Sequence, residues 1–346
     1  MPTSSPSETP ASPLGSRSEC VCRQSGKVAA VPRLGPYDLI DRFAIGGVAE
    51  IYRARDTRNG DVVVIKRMRP DRPFDPELHA GFLREMQVAL KAQHKNLIRG
   101  YELGTFNNID FGVLEYVDGQ DLESILDRVR RQKIQVPLSF ATFIVNEILE
   151  GLDFAHKLTD PRGAPLGLVH RDIAPKNIFV RYDGAVRVAD FGLSLATSQE
   201  AADEIVGTPG YLAPEQARGE PLDARCDIFA VGCILYDLIA GQRAFDCVGL
   251  DDTQMLRMHA LAKHRPVPSS VPARLRIVIE NALSLNRDDR CTSAADMRRA
   301  LHMSEHPPDS AHTPLGIATL VRRLFDVEFK ASRLPGNPLT FLSGRS

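Results

Sequence analysis

The chain has 346 residues, 43% hydrophobic and 25% charged, and its 43 Lys and Arg against 44 Asp and Glu leave a net charge of −1. That length supports one large domain or two lobes with real cores, and the near-neutral balance argues against nucleic acid as the main partner, because phosphate backbones demand a clear basic excess. Six scattered cysteines without a Cys-x-x-Cys pair, an N-terminus without an apolar signal core, and a longest apolar run (Ile228 to Ile239) that is short and contains Asp237 predict reduced thiols, no membrane span and a cytoplasmic protein.

Residues 1–36 are rich in Ser, Pro and Thr and cannot bury enough surface to offset ordering entropy, which predicts a disordered tail. From Tyr37 to Met68, β-like runs alternate with turns: Ile40 to Ile45, Gly46-Gly47, Ala49 to Ala54, an Asn59-Gly60 hairpin signal, then Val62 to Lys66. The glycines before the hairpin would let a backbone lie close over phosphates, although a plain hairpin fits the same residues.

Lys66 ends an apolar strand, where a lysine ordinarily snorkels to solvent. Asp75-Pro76 opens a helix, with Asp as cap and Pro in the first turn. On it Leu78, Phe82 and Ala89 share a face with Glu85. A carboxylate on a core-facing stripe needs a cation, and Lys66 is the one at hand. Phe111 to Gly119 reads as a strand entering a loop. Asp121 has the position of a helix N-cap, and Leu122 to Gln132 and Leu138 to Leu158 follow with helical periodicity, the second through Phe140, Ile144, Ile148 and Leu152.

The stretch from His170 to Gly192 carries the chemistry. Ile178 to Val180 and Ala185 to Ala189 predict two short strands around an Asp183-Gly184 turn. An antiparallel hairpin brings Asn177 beside Asp190, and one amide oxygen converging with one carboxylate suits Mg²⁺, which takes few protein ligands and completes its shell with water and phosphate. Asp172, on the same loop, would face whatever the phosphate is transferred to. Farther on, Arg225 to Ala240 reads as a helix, and Leu315 to Lys330 as a docked helix with Leu320, Leu324 and Val327 on one stripe. Residues 335–346 read as a loose tail.

His170-Arg171-Asp172-x4-Asn177 followed by Asp190-Phe191-Gly192 resembles the protein-kinase catalytic core, and the likeness runs from about Tyr37 to His302. The resemblance implies an α+β, two-lobed kinase fold spanning 37–305, with a β-rich N-lobe at 37–117 and a mainly helical C-lobe at 118–305; residues 306–346 would be linker, docked helix and tail. It implies ATP and Mg²⁺, with Asn177 and Asp190 as metal ligands, Asp172 as the residue that takes the acceptor's proton, and Lys66, braced by Glu85, on the α- and β-phosphates. Phe43, Ala44, Ile45, Gly46, Gly47, Val48, Ala49, Glu50 and Ile51 correspond to the glycine-rich loop, with Ala44 and Ala49 where the family has its first and third glycines.

In the same way Leu114 corresponds to the gatekeeper, Glu115 to Val117 to the adenine-binding hinge, and Asp121 to an acidic residue near the ribose. Gly207 to Glu215 resembles the substrate-positioning loop and Ala-Pro-Glu motif of Ser/Thr kinases. Asp227 matches the aspartate that anchors the catalytic loop, and Arg290 the partner of Glu215. The usual catalytic-loop lysine is replaced by Ala174, and Lys176 stands two residues later, where some tyrosine kinases carry their cation. Glu204, beside Asp203, occupies the place where relatives carry a phosphorylated threonine gripped by Arg171, with Ser194, Thr197 and Ser198 upstream as other phosphosites. The expected activity is transfer of the ATP γ-phosphoryl group to Ser or Thr of protein substrates, most like bacterial cytoplasmic enzymes. A pseudokinase scaffold and a small-molecule phosphotransferase are the other classes, and the oligomeric state is left open.

Overall fold

The computed structural model describes residues 33–191, 207–304 and 313–333. The expectations for Gly192, Ser194, Thr197, Ser198, Asp203 and Glu204, for residues 1–32, and for the last thirteen residues lie outside that range.

Six strands, β1 (Arg33–Leu34), β2 (Tyr37–Ile45), β3 (Ala49–Asp56), β4 (Val62–Met68), β5 (Gly100–Phe106) and β6 (Ile109–Glu115), form one sheet in the order β1-β2-β3-β4-β6-β5. All pairs are antiparallel. β1 falls within the stretch read from composition as tail; its Leu34 is buried with Tyr37, Ile65 and Phe111 in the sheet's own core. Helix α1 (Pro76–Lys91) starts where predicted, because the Asp75 carboxylate accepts the Glu77 and Leu78 N–H groups at 2.9 and 3.1 Å. It rests on the sheet through Phe82 and Met86. Leu78, expected on the buried stripe, is instead exposed.

Beyond β6 the chain becomes helical. β7 (Gly119–Asp121) leads into α2 (Leu122–Gln132) and α3 (Leu138–His156). Phe140, Ile144, Ile148 and Leu152 of α3 are all buried, as their spacing requires. A single 3₁₀ turn at Pro175–Asn177 precedes β8 (Ile178–Arg181) and β9 (Val186–Val188), which form a small sheet with β7. The remaining helices are α4 (Pro214–Ala217), α5 (Arg225–Ala240), α6 (Asp252–Ala260), α7 (Ala273–Ala282), α8 (Ala294–Ser304), α9 (Pro314–Leu324) and α10 (Asp326–Ser332). Helix α5 is buried along nearly its whole length and stops at Gly241, whose φ of +67° is the left-handed C-terminal conformation glycine adopts freely.

The one docked helix expected near the C-terminus is two helices. The chain breaks at Phe325, and the face turned inward is Ile317, Ala318, Val321, Leu324 and Phe325, with Val327 exposed and Leu320 only partly buried. Ile317, Val321, Leu324 and Phe325 join the main helical core. Arg128 of α2 caps the arrangement, donating to the Leu324 carbonyl at 2.9 Å and to Glu328 at 2.5 Å while its guanidinium lies over Phe325. Among the described residues no helix is long and apolar enough to cross a membrane.

Candidate active site

The β8–β9 hairpin pairs Ile178 with Val188 and Val180 with Val186, and Gly184 takes the turn at φ +90°. Its open end carries Asn177 on one side and Asp190 on the other, joined by an Ala189 N–H donating to the Asn177 carbonyl at 2.8 Å. Asn177 turns its amide nitrogen toward Asp172, donating to that residue's carbonyl at 2.8 Å and to Oδ2 at 3.0 Å, which leaves the amide oxygen as an acceptor. Lys176 Nζ sits 3.2 Å from the same Oδ2. Ala174, where a lysine is usual, is fully buried.

Two side chains, Asp227 and His170, hold this loop. Arg171 adopts φ +67°, a conformation costing L-residues about 1–2 kcal/mol. Asp227 of α5 offsets that cost by accepting the His170 and Arg171 N–H groups at 2.8 and 2.9 Å. Burial alone would push the Asp227 carboxyl up, but His156, donating through Nε2 at 2.8 Å, and the loop's own donors outweigh it and hold Asp227 below the usual carboxylate range. His170 donates from Nε2 to the Ala189 carbonyl at 2.9 Å and accepts the Asp172 N–H at Nδ1, so its ring links both halves of the loop. That ring also packs 4.6 Å from Phe191, which is buried.

From the N-lobe, Lys66 ion-pairs with Glu85 of α1 and lies 3.1 Å from Asp190. Burial would lower the ammonium's pKa, but the Asp190 and Glu85 carboxylates outweigh it and keep Lys66 charged, with its pKa above the ordinary value. Lys66, Glu85 and Asp190 thus form one contact group and Asn177, Asp172 and Lys176 another, joined by the Ala189 N–H on the Asn177 carbonyl.

The register of β3 on β4 sets which loop residues share that cleft. Ile51 pairs with Lys66 and lies on its face, whereas Glu50 pairs with Arg67 and lies on the other. Glu50 accepts from Arg67 at 2.9 Å and from Arg42 at 2.7 Å, so its carboxylate, expected with the phosphate-covering loop, is spent on the sheet's far face. The loop tip is closed by the Gly46 N–H donating to the Ala49 carbonyl at 2.8 Å, with Gly47 and Val48 between them. Ala44 pairs with Ile51, and Phe43 and Ile45 beside it are exposed.

At the back of the cleft Leu114 packs on the Phe82–Met86 cluster. The Glu115 side chain points to the C-lobe hairpin, bonded to Arg187 at 3.1 Å and to Arg181 at 3.4 Å; Val117 follows in the half-buried link to β7. Asp121 is the N-cap of α2: its two oxygens accept the Ser124 N–H and hydroxyl, each at 2.7 Å.

Several contacts have no signature in the sequence. Thr208 donates its hydroxyl to Asp172 Oδ1, so the catalytic loop and the segment after residue 206 meet at the same carboxylate. Gln216 donates to the Arg171 carbonyl at 2.8 Å and accepts the Ala213 N–H at 3.0 Å. The Tyr211 hydroxyl donates to Asp237 at 2.7 Å. Glu215, at the start of α4, is the exception: its partner is the Arg290 that the resemblance implied, bound through two bonds of 2.6 and 2.8 Å with both residues buried. Only a hydroxyl directly after Gly207 hints at the first of these contacts, and the others join residues far apart in the chain.

The donor set fits a hard divalent cation. A carboxylate and an amide oxygen, both on a hairpin braced from below, suit Mg²⁺ completed by phosphate oxygens and water. Among the described residues there is no cluster of three His, Cys, Asp or Glu that would hold a softer or self-sufficient metal.

Comparison with known proteins agrees with this geometry. Residues 37–307 match the family described as "Protein kinase domain". The chain is 34% identical over 305 residues to the tyrosine-protein kinase MasK of Myxococcus xanthus, covering 85% of this chain and 47% of that protein. It is 32% identical to the serine/threonine-protein kinase PknB of Mycobacterium leprae, covering 79% of this chain and 44% of the other. The chain thus spans about half the length of the curated relatives it matches. Among solved structures, the Mycobacterium tuberculosis PknI kinase domain superposes with a TM-score of 0.58 at 25% identity, covering 81% of this chain and all of that one. With fold, cleft geometry and sequence in agreement, this chain belongs to the protein kinase family.

Proposed function

We propose that the protein is an ATP-dependent serine/threonine protein kinase of the bacterial, cytoplasmic kind. The observation that carries the reading is the convergence of Asn177, Lys176 and Thr208 on the Asp172 carboxylate, in line with Asp190 and the Lys66–Glu85 pair. Asp172 orients the acceptor hydroxyl and takes its proton as the oxygen attacks the γ-phosphorus and the bond to the β-phosphate oxygen breaks. Lys176 places a cation beside the forming bond, and Lys66, held by Glu85, binds the α- and β-phosphates. Asp190 and the Asn177 amide oxygen would hold Mg²⁺, which supplies charge neutralisation on the phosphates. The rest is positioning by a rigid loop.

The cytoplasmic assignment is supported by the four cysteines among the described residues, all of them unpaired. An acceptor tyrosine is the second reading, favoured by the place of Lys176 and by the name of the Myxococcus relative. The test is autophosphorylation with Mg-ATP followed by phosphoamino-acid analysis, wild type against Asp172→Asn. We expect phosphoserine and phosphothreonine in the wild type and a loss of about a thousandfold or more in the variant. Phosphotyrosine alone would select the second reading. Equal activity of the two proteins would remove Asp172 from the chemistry.

A further inference from the structure

Helix α6 carries a buried histidine that the nucleotide site does not use. His259 has no exposed surface, and its ring lies nearly flat on Phe245, with centroids 4.3 Å apart and planes 25° from parallel. Its two nitrogens face the segment that begins at Thr208. Nδ1–H donates to the Leu212 carbonyl at 2.8 Å, and Nε2 accepts the Gly210 N–H at 3.1 Å. One side chain therefore holds the peptide groups on both sides of Tyr211, whose hydroxyl is tied in turn to Asp237. The Cys247 thiol lies 3.8 Å from Nε2.

Opposite polarities at the two nitrogens demand the neutral ring in a single tautomer, since the protonated ring has no acceptor. Burial keeps it neutral by pushing its pKa down to about 4. Gly210 sits at φ +93°, so its peptide group is presented in an orientation that the local backbone does not otherwise favour. A second tie, Arg218 donating to the Ala260 carbonyl at 2.9 Å, joins the end of α4 to the end of α6 and fixes the helix that bears His259.

We propose that His259 is a positioning residue for the polypeptide acceptor: by pinning Gly210 and Leu212 to α6 it sets the register of the loop on which the peptide lies, beside the Thr208–Asp172 contact. The proposal rests on the protein-kinase reading above. It separates acceptor binding from nucleotide binding, because among the described residues the contacts of His259 run to the segment after residue 206 and to the α5–α6 connection, and none runs to the N-lobe.

The test is steady-state kinetics with myelin basic protein as acceptor and Mg-ATP as donor, for wild type, His259→Phe and His259→Gln, with folding checked by circular dichroism. His259→Phe keeps a flat ring on Phe245 and loses both hydrogen bonds. It should raise the acceptor KM about tenfold, the size of one net hydrogen bond, while the ATP KM stays within about twofold. His259→Gln restores an amide donor and acceptor and should recover part of the loss. If His259→Phe does not fold, His259→Gln alone decides, with a selective rise in acceptor KM expected. Unchanged acceptor KM in a folded variant, or equal rises in both KM values, would overturn the proposal. A wild type that phosphorylates no protein would instead overturn the kinase reading and take this proposal with it.

Discussion

Arg290→Met tests how far the architecture depends on one buried charge. Arg290 is fully enclosed, makes two bonds to Glu215, donates to the Ser284 and Arg225 carbonyls at 3.0 and 3.1 Å, and lies over the Phe229 ring. Methionine fills much of the same volume but leaves Glu215 as an unpaired carboxylate with 1% exposure. Breaking a buried pair by removing one partner costs about 3–5 kcal/mol, and the abandoned carbonyls place this case toward the upper end. For a domain of this size that is a fall in Tm of about 8–10 °C. Because Glu215 opens α4 directly after the segment proposed to position the acceptor, acceptor KM should rise as well. Urea and thermal unfolding followed by circular dichroism give the stability, and the double variant Glu215→Leu/Arg290→Met supplies the control. With both charges gone, most of the loss should return. A single variant within about 1 kcal/mol of wild type, or a double variant no better than the single, would refute this reasoning.

Two further outcomes follow from the site. Lys176→Ala should lower kcat by about a hundredfold or more with ATP KM changed less than about threefold, because its ammonium acts beside Asp172 and not on the adenosine; wild-type turnover in that variant would make Lys176 a solvated surface lysine. Asp237 is buried, and burial pushes its carboxyl up to about 6 despite the Tyr211 hydroxyl and the Ala244 N–H. Between pH 4 and 6 the folded state therefore holds a proton that the unfolded chain has released, so this group's contribution is complete below its unfolded pKa and is lost as pH rises through 6, about 3 kcal/mol in all. Asp237→Asn should flatten the stability–pH curve over that window, and a curve parallel to wild type would show that Asp237 does not titrate there.

Much of the site could be read from local chemistry. Asp183-Gly184 names its own turn, and a hairpin geometrically requires Asn177 and Asp190 to be neighbours. Lys66 and Glu85 stand out because each is a charge misplaced in an apolar pattern. What escaped depends on register or on distance. Glu50 is adjacent to loop residues in the chain, yet the side it faces is set by the pairing of β3 with β4, and a one-residue difference exchanges the two faces. The stripe drawn through Leu320, Leu324 and Val327 assumes one uninterrupted helix, and the break at Phe325 rotates everything after it. Thr208 and His259 reach partners 36 and 47 residues away through contacts that no periodicity announces.

The helix pair α9–α10 separates two kinds of boundary. The match to the protein kinase family ends at residue 307, but Ile317, Val321, Leu324 and Phe325 complete the core that α2, α3 and α5 begin. The packed core is thus longer than the segment that matches the family. Its outer edge also touches the chemistry: a Cβ on Gly184 would stand 1.9 Å from the Pro314 carbonyl oxygen, Arg322 donates to the Tyr182 carbonyl at 2.6 Å, and Arg333 pairs with Asp118 at 2.7 Å. The turn of the hairpin that bears Asn177 and Asp190 is therefore buttressed from behind, as is the strand leading out of the cleft. A fragment cut at residue 307 would open an apolar face on α2 and β8 to water and remove the backstop from the hairpin that bears Asn177 and Asp190.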